Sequence, residues 1–232
     1  IEVTKVAELD SKLYINREDG LVGTAVKDGE FVCNCSTLDD IVVIFTSGKY
    51  LVMKVEDKRF IGQEPVMYVG RYLKNDDRTI YNLIYKDGIT GTSYIKRCTL
   101  SSVIRDKVYD LTRGSAKSKL LYLSVNGNGE AEKVTIKLKM QSRKQRLFEF
   151  ERDFSLISIK GKAAVGLLVT KADISSIKLL SKGFSTLGGR EVWFDRDIMR
   201  INYNGQGEKL GEFEAEDRLL VIQSNGDCYT TD

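Results

Sequence analysis

The chain of 232 residues contains no histidine. That absence excludes a Ser-His-Asp or Cys-His catalytic arrangement and a Cys/His zinc site within these residues. It also removes the commonest general base near neutral pH. Cysteine is scarce. Cys33, Cys35, Cys98 and Cys228 show no CxxC spacing, and the expectation is structural thiols in a reducing compartment. Proline occurs once, at Pro65, and no Pro/Gly/Ser-rich linker divides the chain, so one domain spanning residues 1–232 is expected. Long apolar runs are missing too. The longest, "IVVIF" and "AAVGLLV", fall far short of the roughly 18 residues of a membrane span, and the start has no signal-peptide pattern. The opening "IEVTKVAELD" has no initiator Met, which is the expectation for a piece of a longer protein. No carboxylate pair suited to acid–base work stands out: Asp39-Asp40 and Asp76-Asp77 are assigned to turns ahead of strands. The glycines of "GQGEKLG", Gly205 to Gly211, have the wrong spacing for a dinucleotide loop, and there is no Walker lysine. No metal and no cofactor is expected.

What is present is strand. Short runs rich in Val, Ile, Tyr and Leu are punctuated by Gly, Asn and Asp. Several repeat one layout, an apolar run, a glycine turn and a return run. They turn near Gly20, Gly48, Gly88, Gly127 with Gly129, Gly161 and Gly226. Spacings near 40 residues between such hairpins predict a blade array. An acidic residue or pair often precedes the outgoing strand (Asp39-Asp40, Asp76-Asp77, Glu216-Asp217), and a basic one often follows on the return strand (Lys54, Lys96, Lys133, Lys171). Helix is scarce, with a short turn expected at 172–180. Tyr81, Tyr85 and Tyr122 are assigned to packing within strands, and Trp193 to a core anchor.

Charge is uneven. The total is +3, yet residues 1–40 carry a net −5, residues 41–195 a net +12 and residues 196–232 a net −4. A basic middle between acidic ends suits one surface for a polyanion. Within it, "KVTIKLKM" alternates strictly: Lys133, Thr135, Lys137 and Lys139 on one face, Val134, Ile136, Leu138 and Met140 on the other. That is the period of a half-buried strand with a wet face of lysine. Arg143, Lys144 and Arg146 follow.

The repeated unit of acidic pair, apolar run and "TSGKYLVMK" resembles a blade of the C-terminal domain of type IIA topoisomerase A subunits, those of DNA gyrase and topoisomerase IV. "SKLYINREDGLVGT", "GFSTLGGREVWFD" and "NGQGEKLGEF" resemble further segments of that family, so the likeness covers nearly the whole chain. It implies an all-β fold, a β-pinwheel: a propeller-like disc of about five or six hairpin blades that exchange strands, with a basic rim that bends duplex DNA. It implies a non-catalytic domain, with the cleavage tyrosine and the ATPase outside this chain. The partners it implies are duplex DNA, the topoisomerase B subunit and the N-terminal breakage-reunion region that precedes this domain in its own polypeptide, in the cytoplasm near the nucleoid. The seven-residue box Q-R-R-G-G-K-G of gyrase is missing. The nearest strings are "TLGGR" at 186–190 and "NGQGEKLG" at 204–211, which favours the topoisomerase IV type. On this resemblance the DNA path is expected along Lys133, Lys137, Lys139, Arg143, Lys144 and Arg146, continued by Lys54, Lys58 and Arg59, by Lys96 and Arg97, by Arg105 and Lys107, and by Lys160 and Lys162. The alternative is a propeller-like protein–protein interaction module that does not bind DNA.

Overall fold

A computed structural model describes residues 10–140, 148–214 and 217–231. The first unit comprises β1 (Ser11–Asn16), β2 (Leu21–Gly23) and β3 (Glu30–Cys35). The second comprises β4 (Asp40–Phe45), β5 (Lys49–Lys54), β6 (Arg59–Phe60) and β7 (Val66–Tyr72). The third comprises β8 (Ile80–Lys86), β9 (Ser93–Thr99), β10 (Tyr109–Asp110) and β11 (Lys119–Asn126). The fourth comprises β12 (Lys133–Leu138), β13 (Glu149–Asp153), β14 (Ile159–Gly161), β15 (Leu167–Thr170) and β16 (Ile174–Ser181). Beyond it lie β17 (Arg190–Asp195), β18 (Arg200–Asn202), β19 (Glu208–Phe213) and the hairpin β20 (Leu219–Ile222) and β21 (Cys228–Thr231). One 3₁₀ turn, Phe154–Leu156, is the helical element among the described residues.

The all-β expectation holds, and strands are exchanged between neighbouring units. β6, from the second unit, completes the first sheet in the order β3-β1-β2-β6. β10, from the third, completes the second sheet, β10-β5-β4-β7. β14 and β15, from the fourth, both pair with β9 in the third. The donated strands leave from the connections 55–65, 100–118 and 154–173.

Burial explains why the sequences differ between units. One apolar cluster joins the first two sheets, with Leu13, Ile15 and Val22 against Ile41, Val43 and Phe45. A second joins the second and third, with Val42, Ile44 and Tyr50 against Tyr81, Leu83 and Tyr85. A third joins the third and fourth, with Ile84 and Ile95 against Val134, Ile136 and Phe154. β4 therefore sends alternate side chains into two different cores, which is why Ile41 to Phe45 form an unbroken buried run. β12 has a core on one side only, with Val134 and Ile136 buried and Lys133, Lys137 and Lys139 exposed.

Several expectations from sequence are corrected. Residues 172–180 extend into β16 rather than forming a helical turn, because Ile174, Ile177 and Leu179 pair across to β12. Gly127 and Gly129 do not close a hairpin: β11 pairs with β8 and β12 with β13, so this turn links two sheets. The stretch around Gly161 is not a hairpin either, since β14 and β15 each pair with β9. Met140 is exposed rather than inward, because β12 ends at Leu138. Trp193 is half-buried, and Val192 beside it is the buried residue of β17.

Candidate nucleic-acid interface

Two edges of the stacked hairpins carry cations in different states. At the base edge, where β4 begins and β5 ends, Arg59 and Arg105 are ion-paired, while Lys54, Lys58, Lys107 and Lys160 make no ion pair among the described residues. Arg105 donates to both oxygens of Asp40 at 2.8 and 3.0 Å. Arg59 bridges Glu56 at 2.9 Å and Asp106 at 2.5 Å. Lys162 donates to the carbonyls of Ser101 and Ser102, at 2.5 and 2.8 Å, and lies with Lys107 over the Tyr109 ring. Lys54, Lys58 and Lys160 are exposed, Lys54 directly opposite Asp40 in the ladder.

Lys96 and Arg97 cannot reach a phosphate. Each is 1% exposed, because β9 is an interior strand with neighbours on both sides. The Lys96 ammonium donates to the carbonyls of Lys162 and Ala164, at 2.8 and 2.9 Å, and burial holds its pKa below the ordinary lysine value. The Arg97 guanidinium donates to Asn82 Oδ1, Thr186 Oγ1 and the Gly129 carbonyl, at 2.9, 2.8 and 2.8 Å. It ties β8, the 128–132 connection and the 183–189 segment together and is a structural hub.

The lysine row of β12 faces its own counterions. Register places Asp153 opposite Lys133, Glu151 opposite Thr135 and Glu149 opposite Lys137. Lys133 and Asp153 lie 3.3 Å apart, Lys137 and Glu149 3.1 Å. Ser155 and Lys133 hold the Asp153 carboxyl below its ordinary value against the opposing effect of burial. Arg143, Lys144 and Arg146 lie outside the described residues. Exposed ion pairs contribute little to stability, but here they offset the charges of Lys133 and Lys137.

The hairpin tips differ. The segment 110–120 lies across two of them. The Leu111 N–H donates to Gly48 O and the Leu120 N–H to Thr46 O, binding the segment to the β4–β5 turn. The Gly88 N–H donates to the Ser118 hydroxyl at 3.1 Å, binding it to the β8–β9 turn. The approach is close enough to demand glycine: a Cβ at Gly88 would sit 2.0 Å from Ala116 O. This segment carries Arg113, Lys117 and Lys119, all exposed. Lys49 projects from the first tip and Lys171 follows β15, whose Thr170 pairs with Ser93 at the second. Lys119 stands directly opposite Lys86 in the ladder. Arg113 lies over the Tyr94 ring and donates to its hydroxyl at 3.1 Å.

The carboxylates at these tips are turned to other work. Asp87 is buried, and hydrogen bonds from Ser115 and Thr90 lower its pKa to about 2. Asp110 accepts from the N–H and hydroxyl of Thr112, at 2.6 and 2.7 Å. Asp173 is paired with Lys86, which lowers its pKa. Lys49, Lys117, Lys119 and Lys171 make no ion pair among the described residues. Lys139, expected in the β12 row, has its N–H donating to Asp173 O; Lys171 was noted as a return-strand cation, and Lys49, Arg113, Lys117 and Lys119 were not among the expected contacts. The signal was available in the charge of "RGSAKSK", but not the fact that this segment bridges two turns.

The chain is all-β, and its first four hairpin units exchange strands. Residues 12–182 match the family model described as the topoisomerase C-terminal domain of Bacteroidota, and the chain belongs to that family. Over 108 residues, 47% of this chain, it is 34% identical to the A subunit of DNA topoisomerase 4 from Borreliella burgdorferi (strain ATCC 35210 / DSM 4680 / CIP 102532 / B31), and it spans 17% of that protein. A crystal structure of the C-terminal domain of DNA topoisomerase IV is similar at a TM-score of 0.49 and 12% identity, covering 95% of this chain and 83% of that one.

Proposed function

We propose that residues 1–232 act as one non-catalytic domain of a type IIA topoisomerase A subunit, of the topoisomerase IV type rather than the gyrase type. The domain binds duplex DNA without sequence preference and guides it toward the breakage-reunion region of the same polypeptide, in an enzyme completed by a B subunit. The observation that carries this reading is the bridge of Arg113, Lys117 and Lys119 across two hairpin tips whose carboxylates Asp87 and Asp110 are hydrogen-bonded within the turns. Lysine and arginine at such positions neutralise phosphates, release counterions and read no base. Contacts on consecutive tips favour a bent duplex, and the extra contacts offset a bending cost on the order of several kcal/mol. No cofactor enters this step.

The test is duplex binding across a salt series. The parent chain is compared with a variant carrying Arg113→Glu, Lys117→Glu and Lys119→Glu. Each lost phosphate contact makes the log–log slope shallower by about 0.9, so the variant's slope is expected to fall by about 2–3 and its affinity by about tenfold or more. Changing Lys133 and Lys137 is expected to do less, because both are already paired. No binding by the parent at low salt would replace this reading with the protein-interaction module.

A further inference from the structure

In the first three units the second strand of the hairpin is covered by a strand donated from the unit that follows: β2 by β6, β5 by β10, β9 by β14 and β15. The fourth unit breaks the pattern. Its sheet runs β13-β12-β16, and β13 is a free edge among the described residues. The connection that would donate its missing strand is the one between β18 and β19, residues 203–207. Five residues reach at most about 18 Å fully extended, too little to cross to another sheet and return.

The register says which groups this edge offers. The Leu138 N–H donates to Phe148 O and the Phe154 N–H to Glu132 O. Antiparallel alternation then turns the backbone of Phe148, Phe150 and Arg152 toward β12, and that of Glu149 and Glu151 outward. The outward Glu151 carbonyl is capped by a donor from its own neighbour, Arg152 Nη1 at 2.9 Å, whose guanidinium also lies 4.5 Å from the Phe150 ring centre. A strand added here would meet, on the wet face, the column Glu149, Glu151 and Asp153. Lys133 and Lys137 sit one strand further in, about 4.8 Å away. Glu151 itself is exposed and makes no ion pair among the described residues.

We propose that the β13 edge is a docking site for an extended segment of another polypeptide carrying Lys or Arg at alternate positions. The open ladder supplies backbone hydrogen bonds, and the acidic column supplies selection for cross-strand basic residues. Glu151, the member of the column without an ion pair, opposes antiparallel pairing of two β13 strands about that residue. The site is distinct in position from the hairpin tips.

The test uses the full chain and a nine-residue peptide of alternating Lys and Val, read by fluorescence anisotropy with amide exchange at Glu149 and Glu151. A second peptide of the same sequence is N-methylated along one edge. Binding is expected to slow exchange at those two amides, to weaken about tenfold or more in Glu151→Lys, and to be lost with the N-methylated peptide. Arg152→Ala, which uncaps the Glu151 carbonyl, is expected to bind the unmodified peptide more tightly. DNA affinity in Glu151→Lys is expected to stay within about twofold. Absence of binding would overturn the proposal. So would equal binding by Glu151→Lys and the parent, or by the two peptides, since either shows charge adsorption without strand pairing.

Discussion

The first four sheets and the region from β17 onward are built from the same short, glycine-punctuated strands, yet they are stabilised differently. The three apolar clusters all fall between Leu13 and Ile177. Beyond β16, Val192 is the buried apolar residue, while Ile198, Met199, Leu210, Leu220, Ile222 and Tyr229 are exposed among the described residues. In the first region three of the four sheets borrow a strand from the unit that follows, and each packs both faces or one against a neighbour. In the second the sheets hold three strands and two, all local in sequence. A lone hairpin is marginal in water, so it is the exchange between units, more than the hairpin, that supplies stability. The family model ends at residue 182, where the shared cores also end.

The largest expected effect sharpens this contrast with one substitution made twice. Ile44→Ala, in the core between the second and third sheets, is expected to cost about 2–5 kcal/mol. Ile222→Ala, 69% exposed in the last hairpin, is expected to change stability by less than about 0.5 kcal/mol. Denaturant titration of both variants decides it, and similar losses would break the comparison. A smaller effect is expected from shortening the chain after Gly189. That variant keeps the hydrogen bonds of residues 184–188 to Gly129, Ala131, Arg78 and Arg97. Its thermal midpoint is expected within about 4 °C of the parent, the shift that roughly 1 kcal/mol produces in a domain of this size. A drop several times larger would show that the last sheets support the first four.

A further effect is a dependence on pH. Asp87 has its pKa lowered to about 2 by Ser115 and Thr90, so its ionised form is the one the fold binds. Its contribution is complete above the ordinary carboxylate range near 4 and disappears as pH falls toward 2. Acid titration of the parent and of Asp87→Asn is expected to show a loss between about pH 4 and pH 2 that is reduced in the variant. Equal profiles would remove Asp87 from the account of how the β8–β9 turn holds the basic segment.

Much of the local structure was legible in the residues. Gly48 and Gly226 mark true turns, and the acidic residues ahead of strands cap turns of their own: Asp39 accepts from Ser36 N–H, Asp76 from Arg78 and Thr79, Asp217 from Glu214 N–H. The site was less legible. Lys96 in "SYIKRC" reads as a solvated position of an alternating strand, but strands drawn from a distant part of the chain, β14 and β15, pair with β9. Nothing near Lys96 announces that pairing, so its burial could not be read from its neighbours. The lysines of β12 were placed correctly on a wet face, while the carboxylates that neutralise them arrive on β13 across the hairpin.

By itself the sequence determined the predominance of strand, the absence of histidine, the hairpin turns at Gly20, Gly48, Gly88 and Gly226, and which strands are apolar on both faces and which on one. Period-two alternation is a local property, because successive side chains of a strand must point to opposite sides. Only the tertiary structure decided what those faces meet. "IVVIF" is apolar throughout because two different sheets close over β4, and "KVTIKL" alternates because the stack stops at β12. Whether a lysine faces water, a carboxylate or the inside of a core depends on pairings between residues distant in the chain. Those pairings follow from how strands are exchanged, and no single strand encodes them.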